Sequence, residues 1–223
     1  MKQPTKGEQT KSEILERVNV FFNEQGVDHT ITEIAEHIGM GKSRITNYFP
    51  KKELIIVGLL RQHEKHLADL NSKHQPYERI YDFGNFIPFL SDTMELMFQY
   101  RGVVAYAMIN PGMDRDIFQH IRLNYKENKK RIRRRVENFV NNGLIQSELL
   151  DHEPFEAYFF QYVCISSNWI ITHNLLDPDK TLKSLKPRYL NSILCCLKPY
   201  LTEKGRENLE ATLLELDQVK ATD

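Results

Sequence analysis

Residues 30–54, TITEIAEHIGMGKSRITNYFPKKEL, decide the fold. Thr30 and Glu33 have the spacing of a capping box, in which side chains satisfy free backbone N–H groups at a helix start. Ile31, Ile34, Ala35 and Ile38 then recur on one helical face, and Gly39 suits the left-handed backbone that stops a helix. Beyond a tight turn, residues 42–49 form a second short helix with Ile45 and Phe49 on its inner side, and Pro50 ends it. Ala35 is small enough to let two helices approach, Met40 plugs the underside of the turn, and Ile45 closes the apolar triangle. Two short helices across such a turn make a helix-turn-helix, the unit that lays its second helix into the DNA major groove. Any helical hairpin uses similar small residues, so the spacing by itself leaves both readings open.

The first sixty residues resemble the DNA-binding domain of the TetR family of bacterial transcriptional regulators. The resemblance rests on three segments in order: KSEILERVNVFFNEQG (11–26), TITEIAEHIG (30–39) and GKSRITNYFPKKEL (41–54). They match an amphipathic first helix ending in phenylalanine and glycine, a Thr-x-x-x-Ile-Ala core, and a recognition helix running into Tyr-Phe-x-x-Lys-Glu-x-Leu. Two positions depart from the pattern. Gly41 stands where the family often has a serine or threonine cap, and Thr46 where it often has a tyrosine. The resemblance implies an all-α fold: a three-helix DNA-binding domain over residues 1–52, then a larger helical ligand-binding and dimerisation domain over 53–223.

On the second helix, Lys42 and Ser43 lie at the start, where backbone N–H groups attract phosphate. Arg44, Thr46 and Asn47 face outward. Arginine pairs with guanine, asparagine with adenine, and threonine touches a thymine methyl. Tyr48 and Lys52 match family positions that hold the phosphate backbone. The plain alternative for each of these residues is a solvated face.

Composition sets outer limits. The chain has 223 residues and a formal net charge of +0, so any phosphate contacts come from local cations such as Lys42, Arg44, Lys51 and Lys52 rather than from a basic domain. Cys164, Cys195 and Cys196 lie in apolar helical stretches without metal spacing and read as reduced residues of a cytoplasmic protein. No apolar run approaches the ~18 residues of a membrane span, and the polar MKQPTKGEQTK start is no signal segment.

In chain order, residues 1–9 read as a disordered arm, and Thr10 with Glu13 as the cap of a first helix that carries Ile14, Leu15, Val18, Phe21 and Phe22 and ends at Gly26. Residues 51–74 form a longer helix. Its HEKH segment, His63 to His66, lacks the zinc-protease spacing and reads as a solvated face. KHQPYER breaks the chain near Pro76, Pro88 suggests a kink or a fresh start, and Asn110-Pro111-Gly112 makes a turn. A long helix covers about 114–142. Its KENKKRIRRR segment holds seven basic residues in ten, placed on the face opposite Ile132 and Val136; it reads as a solvated helix face, with an acidic partner or an anionic effector as the alternatives. Asp151, His152 and Glu153 fall in a loop. Helices follow at about 154–175, 187–200 and 203–219, and the resemblance assigns the first two of these to a four-helix dimer interface.

Surplus aromatic and methionine side chains in this half suit a mostly apolar pocket with few polar anchors. The candidate anchors are His120, Tyr125, Asn168 and His173; the candidate walls are Phe98, Tyr106, Tyr162 and Trp169. A dry core and dimer interface is the alternative for each. No phosphate loop, nucleophile elbow or metal cluster marks an enzyme, and neither cofactor nor metal is expected. The leading reading is a homodimeric regulator of double-stranded DNA, a repressor of palindromic operators released by a largely apolar small-molecule effector. The alternative is a helical protein-interaction regulator that no longer binds DNA.

Overall fold

The structure, a computed structural model, describes residues 5–74, 80–110 and 115–221, with backbone alone at 115–124 and 215–221. Ten α-helices carry these residues: α1 Lys6–Gln25, α2 Ile31–His37, α3 Lys42–Thr46, α4 Lys52–Lys73, α5 Phe83–Gln99, α6 Arg101–Ile109, α7 Arg115–Asn141, α8 His152–Leu176, α9 Leu182–Cys195 and α10 Glu203–Ala221. Among the described residues the only β pairing is an isolated bridge between Ile145 and Leu201. The chain packs as two compact units, residues 1–67 with 96–121 and residues 68–95 with 122–223. Residues 75–79 of the KHQPYER segment and the Pro111-Gly112 part of the second break lie outside the described residues.

In the first unit, α1 begins earlier than its sequence suggests. Thr5 and Glu8 make the capping box, so Lys6–Gln9 are helical rather than an arm. Thr10 and Glu13 do not cap, because each is already engaged. The Thr10 hydroxyl donates to the Lys6 carbonyl at 3.0 Å, and Glu13 pairs with Arg17 and Arg44. Ile14, Leu15, Val18, Phe21 and Phe22 are buried, and Phe21 lies between the His29 and His37 rings at 4.9 and 4.6 Å. Thr30 and Glu33 form the expected reciprocal box at the start of α2. Gly39 has φ +64°, and the Gly39 and Met40 amides donate back to the Glu36 and Ala35 carbonyls. That pair of bonds closes the helix end and reverses the chain.

The second unit has an aromatic and aliphatic core, with Phe83, Phe86, Phe139, Phe155 and Phe159 almost wholly buried. α5 runs straight through Pro88. The lost hydrogen bond falls on Gly84, which is exposed and can turn its carbonyl to water. The break comes instead at Tyr100, between α5 and α6. α8 starts at His152, so His152 and Glu153 belong to its first turn rather than to a loop.

The basic segment of α7 is not simply a solvated face. Arg135 is 2% exposed, its guanidinium 4.5 Å from the Phe86 ring centre and 5.4 Å from that of Tyr162. Its Nη1 donates to the Tyr162 hydroxyl at 3.3 Å. Arg135 is three residues after Ile132 and four before Phe139, which puts it on the apolar stripe itself. The rest of the run is largely answered by acids and carbonyls: Lys129 pairs with Glu156, Lys130 with Glu127, and Arg133 with Glu137 and the Leu150 carbonyl.

Candidate nucleic-acid interface

α3 is two-faced. Ile45 and Phe49 are buried at 0% and 2% exposure, while Lys42, Ser43, Arg44, Asn47 and Tyr48 are exposed and Thr46 is half-buried. Regular helix ends at Thr46, three residues short of the length its sequence allows. Pro50 disfavours helical backbone at Phe49, so residues 47–48 make a turn instead. The Phe49 amide still reaches the Ile45 carbonyl at 2.8 Å, which keeps the buried ring in place under the outward row. Gly41, at the N-cap, supplies no side-chain hydrogen bond.

The polar row is held from behind. Arg44 Nη2 donates to Glu13 on α1 at 2.8 Å, and Glu13 also takes Arg17 at 3.0 Å. Arg17 Nη1 in turn donates to the Ile38 carbonyl at the helix-turn-helix corner, 3.2 Å away. Lys52 Nζ donates to the Val27 carbonyl at 3.0 Å, and the Thr46 hydroxyl to the Ser43 carbonyl at 3.3 Å. Tyr48 stands beside Gly7 in the first turn of α1. Glu13 is thus a site residue whose role the sequence hides, because its partner is 31 positions away.

His63 is not part of a solvated face. Its ring meets Tyr100 edge-on at 5.4 Å, its Nε2 is buried without a hydrogen-bond partner, and the neighbouring His66 Nδ1 bonds the Tyr100 hydroxyl at 3.0 Å. Burial, with a smaller contribution from His66, lowers its pKa to about 4. Among the described side chains no cluster of three metal-ligating groups exists.

The candidate ligand residues fall in both units. Phe98 and Tyr106 lie in the first unit, where Arg101 stacks on Phe98 at 4.5 Å and burial, then Asp28 and Glu53, push the Tyr106 phenol up. The His120 side chain lies outside the described residues. In the second unit, Tyr125 is exposed and edges onto Phe159, and Tyr162 accepts from Arg135. Asn168 is exposed and bonds its own helix at the Cys164 carbonyl. His173 is buried, its ring nitrogens on the Lys180 carbonyl and Asn174. Trp169 packs on Tyr189 of α9 at 5.3 Å. Both are at most 5% exposed, yet neither the indole Nε1 nor the phenol oxygen has a protein hydrogen-bond partner. Tyr189 carries no distinguishing sequence signal beyond its place on a helix facing α8.

The chain matches the TetR family, described as bacterial transcriptional repressors, over residues 61–209, about two thirds of its length. Among curated proteins none matches. Among solved structures, a TetR-family transcriptional regulator from Marinobacter aquaeolei VT8 is 21% identical with a TM-score of 0.77, covering 90% of this chain and 95% of that one. A gamma-butyrolactone receptor, an ArpA-like protein, is 15% identical with a TM-score of 0.67, covering 96% and 99%. SmeT, in complex with triclosan, is 13% identical with a TM-score of 0.61, covering 87% and 93%. At these identities the structural likeness is one of fold: all-α, with an N-terminal helix-turn-helix and a larger helical domain.

Proposed function

Because the chain belongs to the TetR family of bacterial transcriptional repressors, we propose that it is a dimeric repressor that binds a palindromic operator and is released by a small organic effector. The observation that carries this reading is α3, where Ile45 and Phe49 anchor a helix whose exposed row is Lys42, Ser43, Arg44, Asn47 and Tyr48, with Thr46 half-buried among them. Thr46 and Asn47 reach base edges, Arg44 reaches guanine or phosphate, and Lys42, Ser43, Tyr48 and Lys52 fix the register on the backbone. Two copies related by a two-fold axis read half-sites about one helical turn apart, ~34 Å.

Dimerisation through α8 and α9 is supported by large apolar side chains that α8 leaves in water: Phe160, Leu175 and Leu176 are 67%, 75% and 67% exposed. For the effector, two fold relatives are a triclosan complex and a gamma-butyrolactone receptor. A largely apolar molecule with an oxygen acceptor suits the unpartnered Trp169 and Tyr189 groups. Such a molecule releases DNA only if it prefers a dimer shape in which the two α3 helices are wrongly spaced.

The test is selection of random duplex DNA on the purified protein at stated salt, beside a variant with Thr46, Asn47 and Tyr48 changed to alanine. A palindrome enriched by the wild type alone supports the reading. Equal enrichment by both proteins, or none by either at low salt, overturns it.

A further inference from the structure

Trp169 on α8 and Tyr189 on α9 meet inside the second unit, their ring centres 5.3 Å apart and their planes tilted by 46°. They are 3% and 5% exposed, and neither the indole Nε1 nor the phenol oxygen reaches solvent or a protein acceptor. A buried N–H or O–H without an acceptor forfeits its hydration and gains nothing in return. Two such donors in one ring contact are uncommon in a native core. Among the described residues no other ring contact joins two unpartnered buried polar groups.

The acceptors nearby are already taken. Asp177, the C-cap of α8, lies close enough for its charge to act on the Tyr189 phenol. Its carboxylate is 8% exposed and is held by Lys180 at 2.7 Å and Arg188 at 3.5 Å. The His173 ring, one turn beyond Trp169, is engaged by the Lys180 carbonyl and Asn174. Main-chain carbonyls inside α8 and α9 are spent on their own helices. Burial first, and the Asp177 charge after it, raise the pKa of the Tyr189 phenol, so its oxygen keeps the proton and remains a donor.

An acceptor that suits both donors has a defined chemistry. One carbonyl oxygen carries two lone pairs and takes both at once. A carboxylate is disfavoured, because it loses its hydration close to the Asp177 charge, and Lys180 and Arg188 are already committed to Asp177. A hydrocarbon leaves both donors unpaired. Ile170, next to Trp169, and Leu185 and Ile193, one turn either side of Tyr189, are at most 4% exposed and suit an apolar body. Beside the ring pair α8 is tied to α9 by the Asp177–Arg188 contact, whose arginine is 61% exposed. A pair so open to water is weak and yields to an entering molecule.

We propose that the Trp169–Tyr189 pair binds an uncharged carbonyl compound, one oxygen accepting from the indole N–H and the phenol O–H together. The proposal deepens the effector part of the regulator reading and rests on it for its biological sense, but binding is read without DNA.

Trp169 is the only tryptophan, so the protein has a single indole N–H resonance. The full-length, isotope-labelled protein is titrated by nuclear magnetic resonance with cyclohexanone, with methylenecyclohexane (the same shape without the oxygen) and with cyclohexanecarboxylate. Cyclohexanone should shift the indole resonance downfield in a saturable manner, and the other two should not. In Tyr189→Phe, which keeps the ring, the affinity for cyclohexanone should fall about fivefold while the shift at saturation persists. Should Tyr189→Phe fail to fold, Trp169→Phe takes its place, and uptake of radiolabelled cyclohexanone in equilibrium dialysis should weaken by a similar factor. No saturable shift with cyclohexanone, an equal response to either of the other two compounds, or undiminished affinity in the folded variant overturns the proposal. A saturable, oxygen-dependent shift in a protein that enriches no duplex DNA is a different result: it upholds the site and overturns the regulator reading.

Discussion

Arg44 has two competing partners, and magnitudes decide between them. Its ion pair with Glu13 is half-exposed, 50% and 37%. Such pairs contribute about 1 kcal/mol or less, whereas an arginine contact to a base is worth about 1–3 kcal/mol. Glu13 therefore orients Arg44 in the free protein without withholding it from DNA. Arg44→Ala should weaken operator binding by about 1–3 kcal/mol and relax preference at one base position, as read by fluorescence anisotropy on a series of mutated operators. Uniform weakening across the series would make Arg44 a phosphate contact. His63 is the residue whose chemistry depends most on burial. Its pKa moves from the ordinary 6.5 to about 4 on folding. Below pH 6.5 the unfolded chain gains a proton that the folded chain refuses until about pH 4. Stability present at neutral pH is therefore lost across that window and levels off beneath it. The shift corresponds to about 3 kcal/mol in full. His63→Leu removes this titration, so its loss of stability between pH 7 and pH 4.5 should be smaller than wild type by about 2 kcal/mol. Equal losses in parallel urea titrations would show that His63 is free to charge in the folded protein.

Helices whose signals are local were readable from the sequence; those fixed by distant partners were not. Thr30, Glu33, Ala35, Gly39 and Ile45 lie within sixteen residues, and each performs in the structure the role its spacing implies. At the start of α1 two capping boxes of equal spacing compete, Thr5 with Glu8 and Thr10 with Glu13. Tertiary contacts choose the first by committing Glu13 to Arg44. Thr5→Ala should cost about 0.5–2 kcal/mol, and Thr10→Ala should stay within about 0.5 kcal/mol of wild type, measured by thermal unfolding. The reverse order would restore Lys6–Gln9 to an unstructured arm. The α5–α6 boundary was unreadable for the same reason. Pro88, the obvious breaker, is tolerated where its lost bond faces solvent, while Tyr100 breaks the chain because Asn19 and Asn23 of α1 satisfy what the break exposes. Arg135 inverts a different rule. Charge runs usually ride a solvated face, but the apolar stripe passes through position 135, and three rings receive the guanidinium there.

Across the whole molecule, 30 basic residues balance 30 acidic ones, so no net charge draws the protein to DNA. Affinity must then come from a few cations placed at the interface, and the salt dependence of binding counts them. Each phosphate neutralised on duplex DNA contributes about −0.9 to the slope of log K against log salt. Lys42 is exposed at the start of α3, where the backbone amides also favour an anion. A monomeric reader would lose one such contact in Lys42→Ala, a change in slope of about 0.9. A two-fold dimer reading a palindrome loses two, a change of about 1.8. The operator titrated from low to moderate salt against wild type and Lys42→Ala therefore reports subunit number at the DNA as well as the role of the residue. An unchanged slope with unchanged affinity would remove Lys42 from the interface. A change near 1.8 that falls toward 0.9 when Phe160 on α8 is replaced by aspartate would tie the second contact to the apolar face that α8 exposes. The same substitution should leave α3 folded, because Phe160 lies in the second unit and Ile45 and Phe49 are buried within the first. Loss of the second contact with the reader intact is the outcome that only a dimer built on that face produces.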